Sequence, residues 1–526
     1  MTSTFFGLEI AKRGMFTQQS ALSTTAHNIA NANTPGYTRQ RVNFVQTEAY
    51  PPVSKNSPVI PGQLGTGVEA GTVERVRESF LDVQYRNENN KVGYWENRAN
   101  ALEKMEEIMN EPSETGLSVT MDRFWQSLQD LALDPTNAGA RSVVRERGIA
   151  LAETFNYLSS SLTSVQSDLK NELNVSIKEI NSLATQINNI NKQISQIEPH
   201  GYIPNDLYDE RDRLIDQLST LTNIKVTYTP SGGNPSKIAE GSVTIELLDE
   251  LDNTTSLGTL VDGIAKTTNS MQVGYHTTNG LVENISIGAN TIDIMNFNNT
   301  GKISSLIDSY GYTFDNTGTQ VEQGVYPEML LKLDTMAYEF ATRFNEEHQK
   351  GYNITDYKAG SKVKNIDFFT PLAGLVPAPP ASPKGAAGLI SISKDIEDST
   401  DNIAAALLDS SGNITIGNSQ NAINLANVKT SLFVIGTETT TLQNYFEGII
   451  GGMAVDTQEA ERLTINSQTL RDAVDTRRQS VSAVSLDEEM TNMIQFQHAY
   501  NASARMITLQ DEVLDRIING MGLSGR

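Results

Sequence analysis

Few residues in this 526-residue chain are spaced to do chemistry. The five histidines, His27, His200, His276, His348 and His498, share no metal-ligand spacing, and none stands in an H-E-x-x-H frame. His27 and His498 lie in helical stretches at opposite ends, where packing or surface roles are expected. Cysteine is absent, which removes thiolate ligands, disulfides and cysteine nucleophiles together. There is no G-x-x-x-x-G-K-[ST] loop and no G-x-S-x-G elbow. Gly65-Thr66-Gly67-Val68-Glu69-Ala70 matches G-x-G-x-x-A, but a dinucleotide site needs a buried strand before it and a helix after it. Here a proline-rich loop precedes and the β-leaning Thr72-Val73-Glu74-Arg75-Val76 follows, so the match reads as a turn before a strand.

Carboxylates are densest at Asp206, Asp209, Glu210, Asp212 and Asp216, interleaved with Arg211 and Arg213. Paired carboxylates can do acid–base work or hold a cation. On a helix this spacing predicts a solvated face with i,i+4 pairing, such as Asp209 with Arg213. Asp487-Glu488-Glu489 would complement the dipole at a helix start. Met490, Met493 and Met506 read as packing filler. The expectation is therefore no catalytic residue, no cofactor and no metal site, hence not an enzyme.

Charge and hydropathy narrow the partners. Lys and Arg total 40 and Asp and Glu 63, a formal net charge of −23. A surface this acidic repels phosphate backbones, so no nucleic-acid partner is expected. No apolar run approaches the roughly 18 residues that span a bilayer, so no membrane partner is expected either. The first residues lack an uninterrupted apolar h-region and a small-residue cleavage site, so export would not use the general secretory route.

The elements come from periodicity. Leu8, Met15, Leu22 and Ile29 recur every seven residues, a coiled-coil-like stripe that predicts an N-terminal helix ending at Asn33-Thr34-Pro35-Gly36. Tyr50-Pro51-Pro52, Pro58, Pro61 and Gly62 keep the next stretch extended or looped. Helical spacing then dominates to Leu221, with a long seam from Leu169 to Ile197 ended by Pro199-His200-Gly201. A further helix opens at Asn205, read as its cap after Pro204. Val243, Ile245 and Leu247 alternate, as do Ile285 with Ile287 and Ile292 with Ile294, which predicts antiparallel strands between Gly/Asn turns. Helix returns over Pro327–Lys350. A mixed region follows, with the linker-like Pro377-Ala378-Pro379-Pro380 and short strands near Ile390 and Ile416. The last ninety or so residues are helical with a break near Ser485; Met490, Met493, Tyr500, Ile507 and Leu514 lie on the final stripe.

The fold predicted is mainly α with an inserted β domain, elongated and multidomain. Its parts are an axial helix (1–36), an extended linker (37–79), a helical domain (80–224), an inserted small antiparallel β domain (225–300), a helical return with a mixed α/β segment (301–485) and a C-terminal axial helix (486–526). The terminal stripes have nothing local to bury against. They are expected to pair with each other and with neighbouring subunits, through Leu8, Met15, Leu22 and Ile29 and through Met490, Met493, Tyr500, Ile507 and Leu514.

Segments at both ends and in the middle of the chain resemble a known family. Asn28-Ile29-Ala30-Asn31-Ala32-Asn33-Thr34-Pro35-Gly36-Tyr37 resembles the N-terminal signature of bacterial flagellar rod, hook and hook-associated axial proteins. Within it, Asn31, Asn33, Thr34, Pro35, Gly36 and Tyr37 form the axial-family motif. Leu486-Asp487-Glu488-Glu489-Met490, the stretch Phe496–Arg505 and Asn205-Asp206-Leu207-Tyr208-Asp209-Glu210-Arg211-Asp212 narrow the likeness to the hook-associated protein 1 family. Rod and hook proteins end in a Q-R-A-Y-E-A-N type of sequence, where this chain has Gln497-His498-Ala499-Tyr500-Asn501-Ala502-Ser503. The resemblance implies a secreted, extracellular structural subunit at the junction of hook and filament, exported unfolded through the flagellar type III apparatus. It implies contacts with the hook protein and hook-associated protein 3, self-association in a ring, and a cytoplasmic export chaperone on the C-terminal helix. The alternatives are another axial protein (hook protein or hook-associated protein 3) and a secreted enzyme on a coiled-coil scaffold. The enzyme would need a pocket of polar groups in the β insertion, and the sequence offers none.

Overall fold

Apolar residues three and four apart run through most of the chain, and helices follow them. The computed structural model describes residues 5–51, 54–55, 58, 62–109, 111, 113–249, 255–316, 319–360, 365–372, 383–409, 412–435 and 438–520. Its order opens with α1 (Phe6–Asn31), β1 (Gln40–Gln46), β2 (Val68–Arg75), α2 (Ser79–Met109), α3 (Leu117–Leu133), α4 (Ala138–Ile197) and α5 (Asn205–Leu221). Strands β3 (Ile224–Thr229), β4 (Ser242–Leu248), β5 (Ser256–Asp262), β6 (Thr267–Thr268), β7 (Met271–Tyr275), β8 (Val282–Ile287) and β9 (Asn290–Asp293) follow. Then come α6 (Lys302–Tyr310), β10 (Tyr312–Asn316), β11 (Thr319–Gln323) and α7 (Val325–His348). The short α8 (Ile354–Ala359), α9 (Ala386–Leu389), α10 (Lys394–Asp398) and α11 (Gln420–Asn427) lead to the hairpin β12 (Phe433–Ile435) and β13 (Glu438–Thr440). Two long helices close the chain, α12 (Leu442–Ser482) and α13 (Leu486–Gly520). The fold is thus mainly α with inserted β structure.

The chain forms two compact units, Met1–Asn90 with Glu179–Met271 and Ser467–Arg526, and Lys91–Lys178 with Gln272–Asn466. In the first, β1 and β2 make an antiparallel hairpin with a bulge between Asn43 and Phe44. Gly71 sits at that bulge because a Cβ there would meet the Val45 side chain at 2.5 Å and Asn43 O at 3.3 Å. A four-stranded antiparallel sheet has the order β3-β4-β5-β6. Helix α4 holds it through asparagines: Asn191 exchanges hydrogen bonds with Val243, its Nδ2 donating to O at 2.8 Å and its Oδ1 accepting from N–H at 3.0 Å. Asn188 donates to Lys266 O at 3.0 Å. These side chains satisfy sheet backbone that would otherwise be buried unpaired.

The second unit is organised round rings. Phe124 and Trp125 of α3 meet Phe340 and Phe344 of α7 and the loop residues Phe368 and Phe369, with centroids 5.0–6.2 Å apart in edge-on or tilted arrangements. A five-stranded sheet runs β11-β10-β8-β7, with β9 also on β8.

The β material expected over 225–300 is therefore built as two sheets, and the second extends to Gln323. The alternation of single strands carries no information on which strands share a sheet. Asn205 does not cap α5. Pro204 occupies the N-cap position without a side-chain bond, and Asn205 Nδ2 donates to Val73 O at 3.0 Å instead. The strands expected near Ile390 and Ile416 are single bridges, Phe369 with Ile392 and Leu408 with Ile414. Pro52, Pro61 and Pro377-Ala378-Pro379-Pro380 lie outside the described residues. The G-x-G-x-x-A match leads into β2, a strand where a dinucleotide site needs a helix.

Candidate functional site

The two terminal helices pair antiparallel in one constant register. A Cβ on Gly7 would lie 3.3 Å from Gln510 Oε1, and one on Gly14 would lie 3.2 Å from Ser503 Oγ. Asn28 Nδ2 donates to Glu489 Oε2 at 3.0 Å. Each heptad forward along α1 is thus matched by a heptad back along α13.

The heptad period is the expected one, but α13 also meets α1 at Gly7, Gly14 and Asn28, one residue before Leu8, Met15 and Ile29. Leu8, Met15, Leu22 and Ile29 flank that line and are half-buried, as are Met493, Tyr500, Ile507 and Leu514 on α13. Met490 is 57% exposed. The buried positions of α1 are Ala11, Thr17, Ala21, Thr25 and Asn28, small or polar residues that let two helices approach closely.

At one end of the pair lies a polar node. Asn28 uses its full hydrogen-bonding capacity there. Its Oδ1 accepts from Tyr37 O–H at 2.8 Å and from Gln40 N–H at 3.0 Å, and its Nδ2 donates to Gln40 O at 2.8 Å as well as to Glu489. Arg39 closes the other side: Nε donates to Glu489 Oε1 at 2.8 Å, Nη1 to Glu488 Oε2 at 2.7 Å, and its N–H to Ser482 O at 2.9 Å. The turn that carries Tyr37 explains the spacing of its motif. Asn31 folds onto the end of α1, donating to His27 O at 3.1 Å, and Thr34 O–H donates to Asn31 Oδ1 at 3.2 Å. Gly36 supplies a φ of 83°, in the left-handed region that favours glycine. Asn33, Thr34, Pro35 and Gly36 stay exposed while Tyr37 turns inward. Burial, and then the nearby Asp206, raise the Tyr37 pKa well above its ordinary value, so it remains a proton donor. Tyr37→Phe should cost about 1 kcal/mol, the usual net worth of one hydrogen bond. Faster amide exchange over residues 24–40 would report that loss, and unchanged exchange would count against the role.

Helix α5 joins the node from below. Asp209 accepts from Thr38 N–H at 3.0 Å, and Asp206 accepts from Gln40 Nε2 at 3.0 Å. The solvated face expected for α5 is not what forms. Arg211 and Asp212 are buried, and Asp209 pairs with Arg75 at 2.7 Å, not with Arg213, which pairs with Glu210. Asp212 is a hub, 3.0 Å from Arg75, 3.0 Å from Arg77 and 3.3 Å from Arg86. Burial alone would raise its pKa, but Arg77, Arg75, Arg86 and Arg211 together hold it well below the usual carboxylate range. At Asp209 burial wins over Arg75 and the Thr38 N–H, and its pKa is raised. Arg211 donates to Gly241 O at 2.7 Å and to Glu240 Oε2 at 2.7 Å. Arg478 bridges to Asp216 at 2.6 Å and stacks 3.9 Å over the Tyr85 ring.

A polar cleft of about 360 Å³ opens beside these residues, lined by Tyr37, Arg77, Tyr85, Asp216 and Arg478 among others. Its cations and carboxylates are already paired with one another. The arrangement clamps segments of the first unit to one another. Among the described residues no group of three or more His, Asp or Glu side chains is placed to hold a metal, and no helix is long and apolar enough to cross a membrane.

Sequence reasoning did not find Asn28, Arg39, Arg75, Arg77 or Arg86. The signal for Arg75, Arg77 and Arg86 is arithmetic: α5 packs five carboxylates within eleven residues, more than its own two arginines can neutralise.

The segments that meet here are the ones that match known families. The description "Flagella basal body rod protein" matches residues 8–38, and "Flagellar basal body rod FlgEFG protein C-terminal" matches residues 478–520. "Flagellar hook-associated protein FlgK helical domain" matches residues 102–366, which include α5. Flagellar hook-associated protein 1 of Bacillus subtilis (strain 168) is 50% identical over 527 residues, covering 100% of both chains. Flagellar hook-associated protein 1 of Escherichia coli (strain K12) is 24% identical, covering 97% of this chain and 98% of that one. The solved structure of the flagellar hook junction protein FlgK from Burkholderia pseudomallei shares the fold, with a TM-score of 0.57 over 77% of this chain and 100% of that one, at 13% identity.

Proposed function

We propose, from the premise that this chain belongs to the flagellar hook-associated protein 1 family, that it forms the junction between hook and filament. The family makes it a structural component of the flagellar axis. The observation that carries the finer reading is the terminal helix pair, clamped to the fold by its polar node while its outer side stays apolar and open. Leu486, Met490, Ile494, Met506 and Leu509 of α13 are each about half exposed. Apolar exposure repeated along one long helix marks a surface that neighbours cover. Segments 1–36 and 486–526 are the axial elements in this reading. The half-buried Leu8, Met15, Leu22, Ile29, Met493, Tyr500, Ile507 and Leu514 then bury their remaining surface, with Met490, against other subunits.

The partners that fit are the hook protein, hook-associated protein 3 and further copies of this chain in a ring. Before assembly the chain passes unfolded through the flagellar type III apparatus, with an export chaperone holding the C-terminal helix by its apolar stripe. It works outside the cell and catalyses nothing. Deleting the gene tests this. Electron microscopy should show hooks without filaments, with filament protein shed into the medium, and the full chain supplied in trans should restore attachment. Normal filaments on the deletion strain would sink the reading.

A further inference from the structure

The geometry points to Asn28, held by a Glu489 that Arg39 fixes in turn, as the residue that selects the register of the α1–α13 pair. This concerns the chain's own helices and stands whether or not the junction reading holds. Along the line that ends at Asn28 the residues at heptad spacing in α1 are Gly7, Gly14, Ala21 and then Asn28. Glycine offers no knob that one hole accepts and the next rejects. A slide of seven residues keeps the heptad phase and sets Gly14 against Gln510 or Gly7 against Ser503, contacts of the same small-against-polar kind. Packing at the two glycines therefore discriminates weakly between heptad registers.

Asn28 does discriminate. It is 1% exposed and Glu489 2% exposed, and they reach each other in one register alone. After a seven-residue slide Asn28 faces Phe496 or the end of α12, and Glu489 loses both Asn28 and Arg39. One buried N–H of Asn28, which keeps its bonds to Tyr37 and Gln40, and the buried carboxylate of Glu489 would then lack partners, a penalty attached to the wrong register. A single buried asparagine in an otherwise permissive seam is a known means of specifying helix-pair register.

The absence of cysteine makes the test direct. The Cβ positions of Gly14 and Ser503 lie 4.0 Å apart, within the range a disulfide needs. Gly14→Cys with Ser503→Cys should cross-link under copper–phenanthroline in the otherwise unchanged full chain. Gly14→Cys with Gln510→Cys, and Gly7→Cys with Ser503→Cys, sit a heptad out of step, about 10 Å along the axis, and should not link. Asn28→Ser and Glu489→Gln are then added separately to each pair. The expected result is a rise of roughly tenfold or more in a slipped link, at the expense of the native one, as charge-assisted hydrogen bonds are lost. A native-only pattern in both variants would overturn the proposal. Loss of every link in both would overturn it too, because the node would then be needed for pairing itself and not for its register.

Discussion

Asp212→Asn should destabilise the first unit by about 3–5 kcal/mol, the usual result of removing one partner from a buried charge set. The substitution keeps the shape and removes the charge. Three guanidinium groups lie within 3.3 Å of the Asp212 carboxylate, and its side chain is 3% exposed. Without that charge Arg75, Arg77 and Arg86 keep their contacts with Asp209, Asp82 and Asp216, but they lose the carboxylate they share, which offsets their mutual repulsion in the buried cluster. Both tryptophans, Trp95 and Trp125, belong to the second unit and will not see the loss. Amide exchange on the full chain will: peptides from 68–75, 205–221 and 242–248 should lose about a hundredfold or more in protection. A Glu210→Ala variant serves as the control. The Glu210 and Arg213 side chains are 46% and 36% exposed, so its effect should stay within about 0.5 kcal/mol. Equal effects from the two substitutions would refute the hub. The carboxylate also sets an acid limit. Its pKa is depressed in the fold, so its stabilisation is present above the ordinary aspartate range and is lost only as pH falls through a much lower value.

The contrast between Asp212 and Glu210 also marks where the sequence is legible. Both belong to one carboxylate-rich helix, and local spacing cannot say which of them will be buried. That depends on Arg75, Arg77 and Arg86, which arrive from more than a hundred residues away. Features that depend on neighbours in the chain are read well. The end of α1 at Asn31, the break between α12 and α13 and the long seam of α4 follow from proline, glycine and apolar period. The α1 stripe shows the middle case. Counting large apolar residues finds Leu8, Met15, Leu22 and Ile29 and so a seven-residue period, yet α13 also meets α1 one residue earlier, at Gly7 and Gly14, too small to register as hydrophobic, and at Asn28, which is polar. Asn28 belongs to the segment that carries the family signature, and its neighbours in that signature make the turn that brings Tyr37 back to it. The convergence of three distant signatures on one node follows from tertiary structure alone.

Acid should weaken the second unit through His348. This side chain is fully buried, and both ring nitrogens are used. Nδ1 lies 2.7 Å from Ile366 O, and Nε2 lies 2.9 Å from the Ala404 N–H. Only the neutral ring with its proton on Nδ1 satisfies both, since Nε2 must accept. The charged neighbour is Arg141, whose guanidinium donates to Ile403 O at 2.8 Å. Burial first, and Arg141 with it, lower the His348 pKa from 6.5 to about 4, against the hydrogen bond to Ile366 O. The sign follows from proton binding. Below 6.5 the unfolded chain takes up a proton that the folded chain refuses, so stability falls as pH drops, and it stops falling once the folded pKa is passed. The loss over that window is about 3 kcal/mol. Because His348 packs on Phe368 in the ring cluster that includes Trp125, tryptophan fluorescence in urea reads the unit directly. The urea midpoint should decline steadily from pH 7 to pH 4. A His348→Gln variant should start lower, having lost one fitted partner, but decline less by about that amount over the same range. Carboxylates elsewhere, Asp334 and Glu339 among them, whose pKa values burial raises, affect both proteins alike, so the difference between the two slopes isolates the histidine. Parallel slopes would show that His348 takes up its proton in the fold as readily as in the unfolded chain, and the segment at Ala404 would then have to be held at low pH by something other than this acceptor.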